Sequence, residues 1–145
     1  MNSKYFKIEE LVCREVYNKF GEQAWMFVDN SLIETLEIIR EKILCVPMIV
    51  NNWKSGGEFT ERGLRCNLCK LVSTKTAPYM SAHILGKAMD FDAKGMTAEQ
   101  ARKLIKKNQI LLPYPIRLEE GVPWVHIDVY DCGGGKITTF KKTEK

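Results

Sequence analysis

His83 and Asp90 lie seven positions apart in the string Ser81-Ala82-His83-Ile84-Leu85-Gly86-Lys87-Ala88-Met89-Asp90-Phe91-Asp92. An imidazole and a carboxylate at that spacing do not share one face of a helix. They suit a metal pair if His83 ends a loop and Asp90 sits on the strand that comes next, with Gly86 letting the chain fold back and Ala88 leaving room beside the ion. A second string, Trp124-Val125-His126-Ile127-Asp128-Val129, alternates as a strand: Val125, Ile127 and Val129 face a core, while Trp124, His126 and Asp128 face the other way. His126 is thereby presented over a cleft, with Asp128 close enough to influence it. The chain has two histidines in all, and with Asp90 they make a three-ligand set for Zn²⁺ at roughly 2.0–2.2 Å. Three protein ligands leave one position for water, which marks a catalytic ion rather than a structural one. One zinc per chain is expected.

The elements that must position these groups read as helices first and strands later, an α+β arrangement. Ile8, Leu11, Val12, Val16 and Phe20 recur at helical spacing and Gly21 comes next as a stop, predicting one amphipathic helix. Ser31 with Glu34 three positions on forms a capping box for a second helix carrying Leu32, Leu36, Ile39 and Ile43 on one face and ending near Leu44. Met48-Ile49-Val50 is a short buried strand. From Trp53 to Met80 periodicity disappears and Gly56, Gly57, Gly63 and Pro78 accumulate, a long excursion of the kind that carries function. Thr97 and Gln100 cap a helix running to about Lys107, with Ala101, Leu104 and Ile105 inward. Ile116 to Glu119 and Trp124 to Tyr130 are strands around the turn Gly121-Val122-Pro123, and Gly133-Gly134-Gly135 precedes a last strand, Lys136 to Phe140.

Length and composition narrow the function classes. The 145 residues suit one domain, 1–145, with a basic tail at about 141–145 that includes Lys141, Lys142 and Lys145. Apolar residues are dispersed among charges, so no membrane span is expected. The charged N-terminal stretch lacks a signal-peptide core, which leads us to expect synthesis in a cytoplasm. The net charge of +4 is scattered, too weak a bias for a nucleic-acid partner. Five cysteines, with Cys13, Cys45 and Cys132 far apart, read as reduced thiols, mostly core. Cys66 and Cys69 form a CxxC that a structural zinc site would need to complete with a second pair or with histidines. Both histidines are used elsewhere, so the pair reads as a loop with two small side chains, a redox pair and a metal site being the alternatives.

The strings SAHILGKAMDFD and WVHIDV resemble the SxHxxGxAxD and WxH elements of peptidase family M15, the zinc D-Ala-D-Ala carboxypeptidases and the related phage and bacterial cell-wall endopeptidases. KYFKIEEL, the helix before VPMIVNNW, and RGLR are similar to the phage-type branch of that family, and the resemblance runs from about residue 5 to residue 130. It implies a compact antiparallel sheet flanked by helices, the hedgehog/D,D-peptidase fold, with zinc on His83, Asp90 and His126. It also implies action on peptidoglycan stem peptides or cross-links, as carboxypeptidase or endopeptidase; with synthesis expected in a cytoplasm, the enzyme is expected to reach the cell wall after release or as part of a virion, which fits a phage or prophage lysis enzyme. Two other classes stand beside it: a zinc-stabilised virion or interaction module without hydrolysis, and a small nucleic-acid-binding module.

The general base departs from the family pattern. Relatives carry a glutamate three residues before the last zinc histidine or a histidine two before it; here those positions are Pro123 and Trp124, and neither takes a proton. The nearest carboxylates are Glu119 and Glu120. If Ile116 and Leu118 face the core, Arg117 and Glu119 share the side of His126; a turn or bulge would instead bring Glu120 there. For the substrate carboxylate the resemblance points to Arg65 in RGLR, with Arg62 as the neighbour, because a guanidinium grips carboxylate bidentately. Ser81 is placed either to donate to substrate or to cap the loop. Trp53 and Trp124 are either cleft walls or core indoles.

Overall fold

In the computed structural model, residues 2–130 and 135–141 are described; Cys132, Gly133, Gly134, Lys142 and Lys145 lie outside the described residues. The chain is mixed α+β: a five-stranded sheet, ordered β1-β2-β4-β3-β5, flanked by helices. The strands are β1 (Met48–Ile49), β2 (Ala88–Ala93), β3 (Ile116–Glu120), β4 (Val125–Asp128) and β5 (Ile137–Lys141). The helices are α1 (Ile8–Leu11), α2 (Arg14–Phe20), α3 (Asn30–Ile38), α4 (Lys70–Ser73) and α5 (Ala98–Lys107). No helix among the described residues is long and apolar enough to cross a membrane.

The sheet is not wholly antiparallel. β1–β2, β2–β4 and β4–β3 run antiparallel, but β5 lies parallel to β3. β4 ends beside the start of β3, and the next strand sets out from that same end; because it adds on the far side of β3 rather than of β4, it runs with its neighbour. The Lys136 carbonyl accepts from Ile116 N–H at 2.9 Å and fixes that start.

The N-terminal helix is broken where one continuous helix was expected. Val12 and Cys13 are extended (φ −128° and −71°, ψ near +160°), since Val12 bridges to Leu64, and Cys13 N–H donates to the Leu64 carbonyl at 3.1 Å. The Val12 carbonyl, which an unbroken helix would have used internally, accepts instead from Asn51 Nδ2 and Trp53 Nε1. Residues Gly21–Phe27 form a 3₁₀ turn. α3 is capped by Asp29, whose carboxylate accepts from Ser31 N–H, not by Ser31 itself: the aspartate two residues earlier offers the stronger acceptor. The helix continues as a π-helix over Ile39–Leu44. α5 has its expected capping box, with Thr97 accepting from Gln100 N–H and Gln100 from Thr97 N–H; Ala101 and Ile105 are fully buried.

Met89, Phe91, Leu118, Val125 and Ile127 on one sheet face are solvent-free and pack with Ile8, Leu11, Leu32, Leu36, Ile39 and Ile105 from the helices. Burial of this apolar surface, worth roughly 25 cal/mol per Å², is what holds the sheet rigid. The opposite face is left for polar groups.

Candidate metal centre

Alternation along β2 and β4 puts Asp90 and His126 on that opposite face, and the register makes them direct cross-strand partners, with Ala88 opposite Asp128 in the next row but one. His83 arrives from the turn over residues 82–86, which Gly86 makes possible. Its φ is +70°, and a Cβ there would stand 1.8 Å from the Phe27 carbonyl oxygen. The Gly86 carbonyl accepts from Asp29 N–H at 2.9 Å, and Lys87 pairs with the Asp29 carboxylate at 2.7 Å, so the end of the turn is pinned twice. His83, Asp90 and His126 therefore converge, all buried, with one donor atom from each within 4.8 Å of the others.

Their second partners decide which atoms are free. His83 Nδ1 lies 2.9 Å from the Gly63 carbonyl oxygen; a carbonyl only accepts, so Nδ1 carries a proton, and Nε2 is the nitrogen turned toward Asp90, 3.4 Å from its Oδ2. Gly63 is itself required, since a Cβ there would meet the Leu11 carbonyl oxygen at 2.1 Å. His126 sits between two carboxylates, with Nδ1 2.7 Å from Asp90 Oδ1 and Nε2 2.7 Å from Asp128 Oδ2. Burial disfavours its charge, but the hydrogen bonds to Asp128 and Asp90 outweigh this and raise its pKa to about 9. Asp90 is buried too, and the bonds from His126 and His83 still hold its carboxyl well below the usual range. Asp128, wholly buried, is likewise lowered because His126 and Arg117 both donate to it.

The donor set fits a zinc ion. Each imidazole gives one outer nitrogen to a fixed acceptor, Gly63 O or Asp128, and turns the other toward Asp90, the arrangement that orients metal-bound histidines. The proton shared by His126 Nδ1 and Asp90 marks the place where a cation would substitute. Arg117 clamps Asp128 from β3 through Nε at 2.8 Å and Nη2 at 3.0 Å, and its guanidinium lies over the rings of Phe140 (4.5 Å) and Tyr130 (5.4 Å). Phe140 also meets the His126 ring edge-on at 5.5 Å. Sequence reasoning misses this Arg117–Asp128 clamp and the aromatic cover from β5; alternation of Arg117 with the buried Ile116 and Leu118 is the one signal that could have found the clamp.

The other expected site residues separate into those at the centre and those away from it. Arg65 is at the centre, with Nη2 3.6 Å from Asp90 Oδ2 and Nε donating to the Glu61 carbonyl at 2.6 Å. Arg62 is committed elsewhere, in a bidentate bond to Asp92 and stacked on Phe59 at 3.7 Å. Glu119 follows the last β3–β4 pair, Leu118–Ile127, on the same side as Arg117; its side chain is mostly buried and makes no hydrogen bond or ion pair among the described residues. Glu120 faces away and pairs with Lys106 and Arg102 of α5. Ser81 caps the His83 turn: its hydroxyl and carbonyl accept from Ile84 N–H. Trp53 packs on Tyr17 and donates to Val12, a core role, whereas Trp124 Nε1 is buried without a partner among the described residues.

Comparison with protein-family models, with curated proteins and with solved structures finds no match for this chain.

Proposed function

We propose that this protein is a zinc-dependent peptidase that hydrolyses peptide bonds in peptidoglycan stem peptides or cross-links, with the helix-flanked sheet belonging to the hedgehog/D,D-peptidase fold. The observation that carries the proposal is the convergence of His83, Asp90 and His126, each imidazole giving one nitrogen to a fixed outer acceptor and turning the other toward the same point. The resemblance of SAHILGKAMDFD and WVHIDV to family M15 supplies the substrate class.

When bound, zinc would supply a Lewis acid for the scissile carbonyl and lower the pKa of water toward roughly 7. The remaining work falls to the chain's own residues. Glu119, an uncommitted carboxylate on the polar face beside β4, takes the proton of the attacking water and returns it to the leaving amine. Glu120 is held by Lys106 and Arg102 and serves the hairpin. Arg65 keeps Nη2 near Asp90 and presents its remaining donors to a substrate carboxylate, orienting the peptide. Asp128, gripped by Arg117, holds His126 in register and keeps its proton on Nε2. The Phe140 ring covers His126 and limits water on that side.

Purified sacculi test this reading. The zinc-loaded protein should release free amino groups from them, a chelator should stop the release and added zinc should restore it. Release that persists in the chelated protein, or no release from any wall chemotype by fully zinc-loaded protein, would overturn it.

A further inference from the structure

Cys13 is remote in sequence from the CxxC of Cys66 and Cys69, yet the fold brings all three thiols together with the carboxylate of Glu15; one donor atom from each lies within 4.8 Å of the others. We propose that Cys13, Cys66, Cys69 and Glu15 bind a second zinc ion, a structural one, at a site separate from the histidine centre.

Three observations carry this. The first is the donor set itself: three sulfurs and one oxygen are four ligands, which closes a tetrahedral zinc site and leaves no open position. With zinc–sulfur bonds of about 2.3 Å, tetrahedral sulfurs stand roughly 3.8 Å apart, so donors already within 4.8 Å need only small side-chain adjustments. The second is the local backbone. Leu68 N–H donates to Cys66 Sγ and Cys66 N–H to Cys69 Sγ, both at 3.4 Å, while Cys69 N–H closes the turn on the Cys66 carbonyl at 3.2 Å. Backbone N–H groups aimed at sulfur stabilise thiolates over thiols, the form a metal requires. The third is Cys13, which a dithiol redox pair would not need. It belongs to the extended break between α1 and α2 and is fully buried, and the Cys13 N–H and the Val12–Leu64 bridge dock that break onto the chain just before Cys66.

The placement also says what the ion would do. Arg65 immediately precedes Cys66, Arg65 N–H donates to the His83 carbonyl at 3.3 Å, and the Gly63 carbonyl fixes His83. A zinc staple between residues 13–15 and 66–69 would tie the chain just after Arg65 to the start of α2, steadying the segment that positions Arg65 and His83 where a long loop with exposed Leu68 and Leu71 provides little apolar packing. Under this proposal the metal-site alternative for Cys66 and Cys69 is the one that applies, with Cys13 and Glu15 completing the donor set.

The test uses the whole chain, purified with a reductant. Cobalt substituted into the wild-type protein should give intense thiolate-to-cobalt charge-transfer absorption in the near ultraviolet and strong tetrahedral bands in the visible. In the His83→Ala variant, which removes a ligand of the other centre, the thiolate band and one bound metal per chain should remain; in Cys66→Ser, which leaves two of the three thiolates, the band should weaken and the metal bind less tightly. Because the wild-type spectrum alone decides, a Cys66→Ser variant that fails to fold does not protect the proposal. A cobalt protein with no thiolate band, or native protein in which alkylation and peptide mapping recover Cys66 and Cys69 as a disulfide, would overturn it. Loss of the histidine-centre metal with the thiolate band intact would count against the peptidase reading and not against this one.

Discussion

Replacing Asp128 by asparagine exchanges one oxygen for an NH₂ group, and the four bonds at that carboxylate determine the consequence. Oδ1 accepts from Arg117 Nε at 2.8 Å and from Tyr130 N–H at 3.1 Å; Oδ2 accepts from Arg117 Nη2 at 3.0 Å and faces His126 Nε2 at 2.7 Å. An amide keeps one acceptor side. If its oxygen stays with Arg117 Nε and Tyr130, its NH₂ opposes Arg117 Nη2 and meets His126 Nε2, which can accept only with the ring proton on Nδ1, the nitrogen turned toward Asp90. That tautomer blocks the metal. If the amide flips, its oxygen keeps His126, but the NH₂ then opposes two donors in a site with no solvent. Losing an outer-shell partner of this kind costs about 10- to 100-fold in metal affinity, or roughly 1.4–2.8 kcal/mol. Zinc competition with a chromogenic chelator measures this directly, and circular dichroism checks that the variant is folded. A folded Asp128→Asn protein whose zinc affinity stays within about threefold of wild type would refute the tautomer assignment.

Glu119→Gln should retain zinc and fold while hydrolysis falls by roughly 10²-fold or more; Glu120→Gln should lower Tm through its lost pairs with Lys106 and Arg102 and leave turnover unchanged, and reversed effects would show Glu120 to be the base. Arg65→Lys should lose kcat/KM by up to about 10²-fold and become insensitive to amidation of the substrate carboxylate, while Arg62→Lys should cost stability only; equal sensitivity to amidation in Arg65→Lys and wild type would remove Arg65 from the substrate site. The chelated protein should lose stability as pH rises. His126 moves from 6.5 to about 9 on folding, so its contribution is complete below about 6.5 and lost on passing through about 9. Asp90 and Asp128, both lowered, contribute above the ordinary carboxylate range and fail only on the acid side. Thermal melts across about pH 6–10 should show the alkaline loss in chelated protein, and a flat profile would contradict the His126–carboxylate pairing.

How much of the fold and the site was legible in the sequence depended on the range of the interactions involved. Period-two alternation in Val125-His126-Ile127-Asp128 is local, and it placed His126 on the polar face as observed; the Thr97–Gln100 capping box, spanning three residues, is equally local. Gly86 signalled the fold-back of the His83 turn because its need for positive φ belongs to the residue itself. The break at Val12 was invisible because its cause, Leu64, is remote in sequence, and α-periodicity continues through the break. The same distance hid Cys13 from the CxxC. The parallel β5 was missed because strand order depends on which edge is open, and no residue within Ile137–Lys141 records that. Glu119 and Glu120 were separated only by the structure, where α5 supplies Lys106 and Arg102 to one of them.

Mass spectrometry of defined muropeptides tests the central claim most directly. Incubation with zinc-loaded protein should convert a stem peptide or cross-linked dimer into fragments whose masses sum to the parent plus one water, and the His83→Ala variant should leave the same muropeptides intact. Intact muropeptides of every chemotype after incubation with folded protein carrying zinc at the histidine centre would contradict the account.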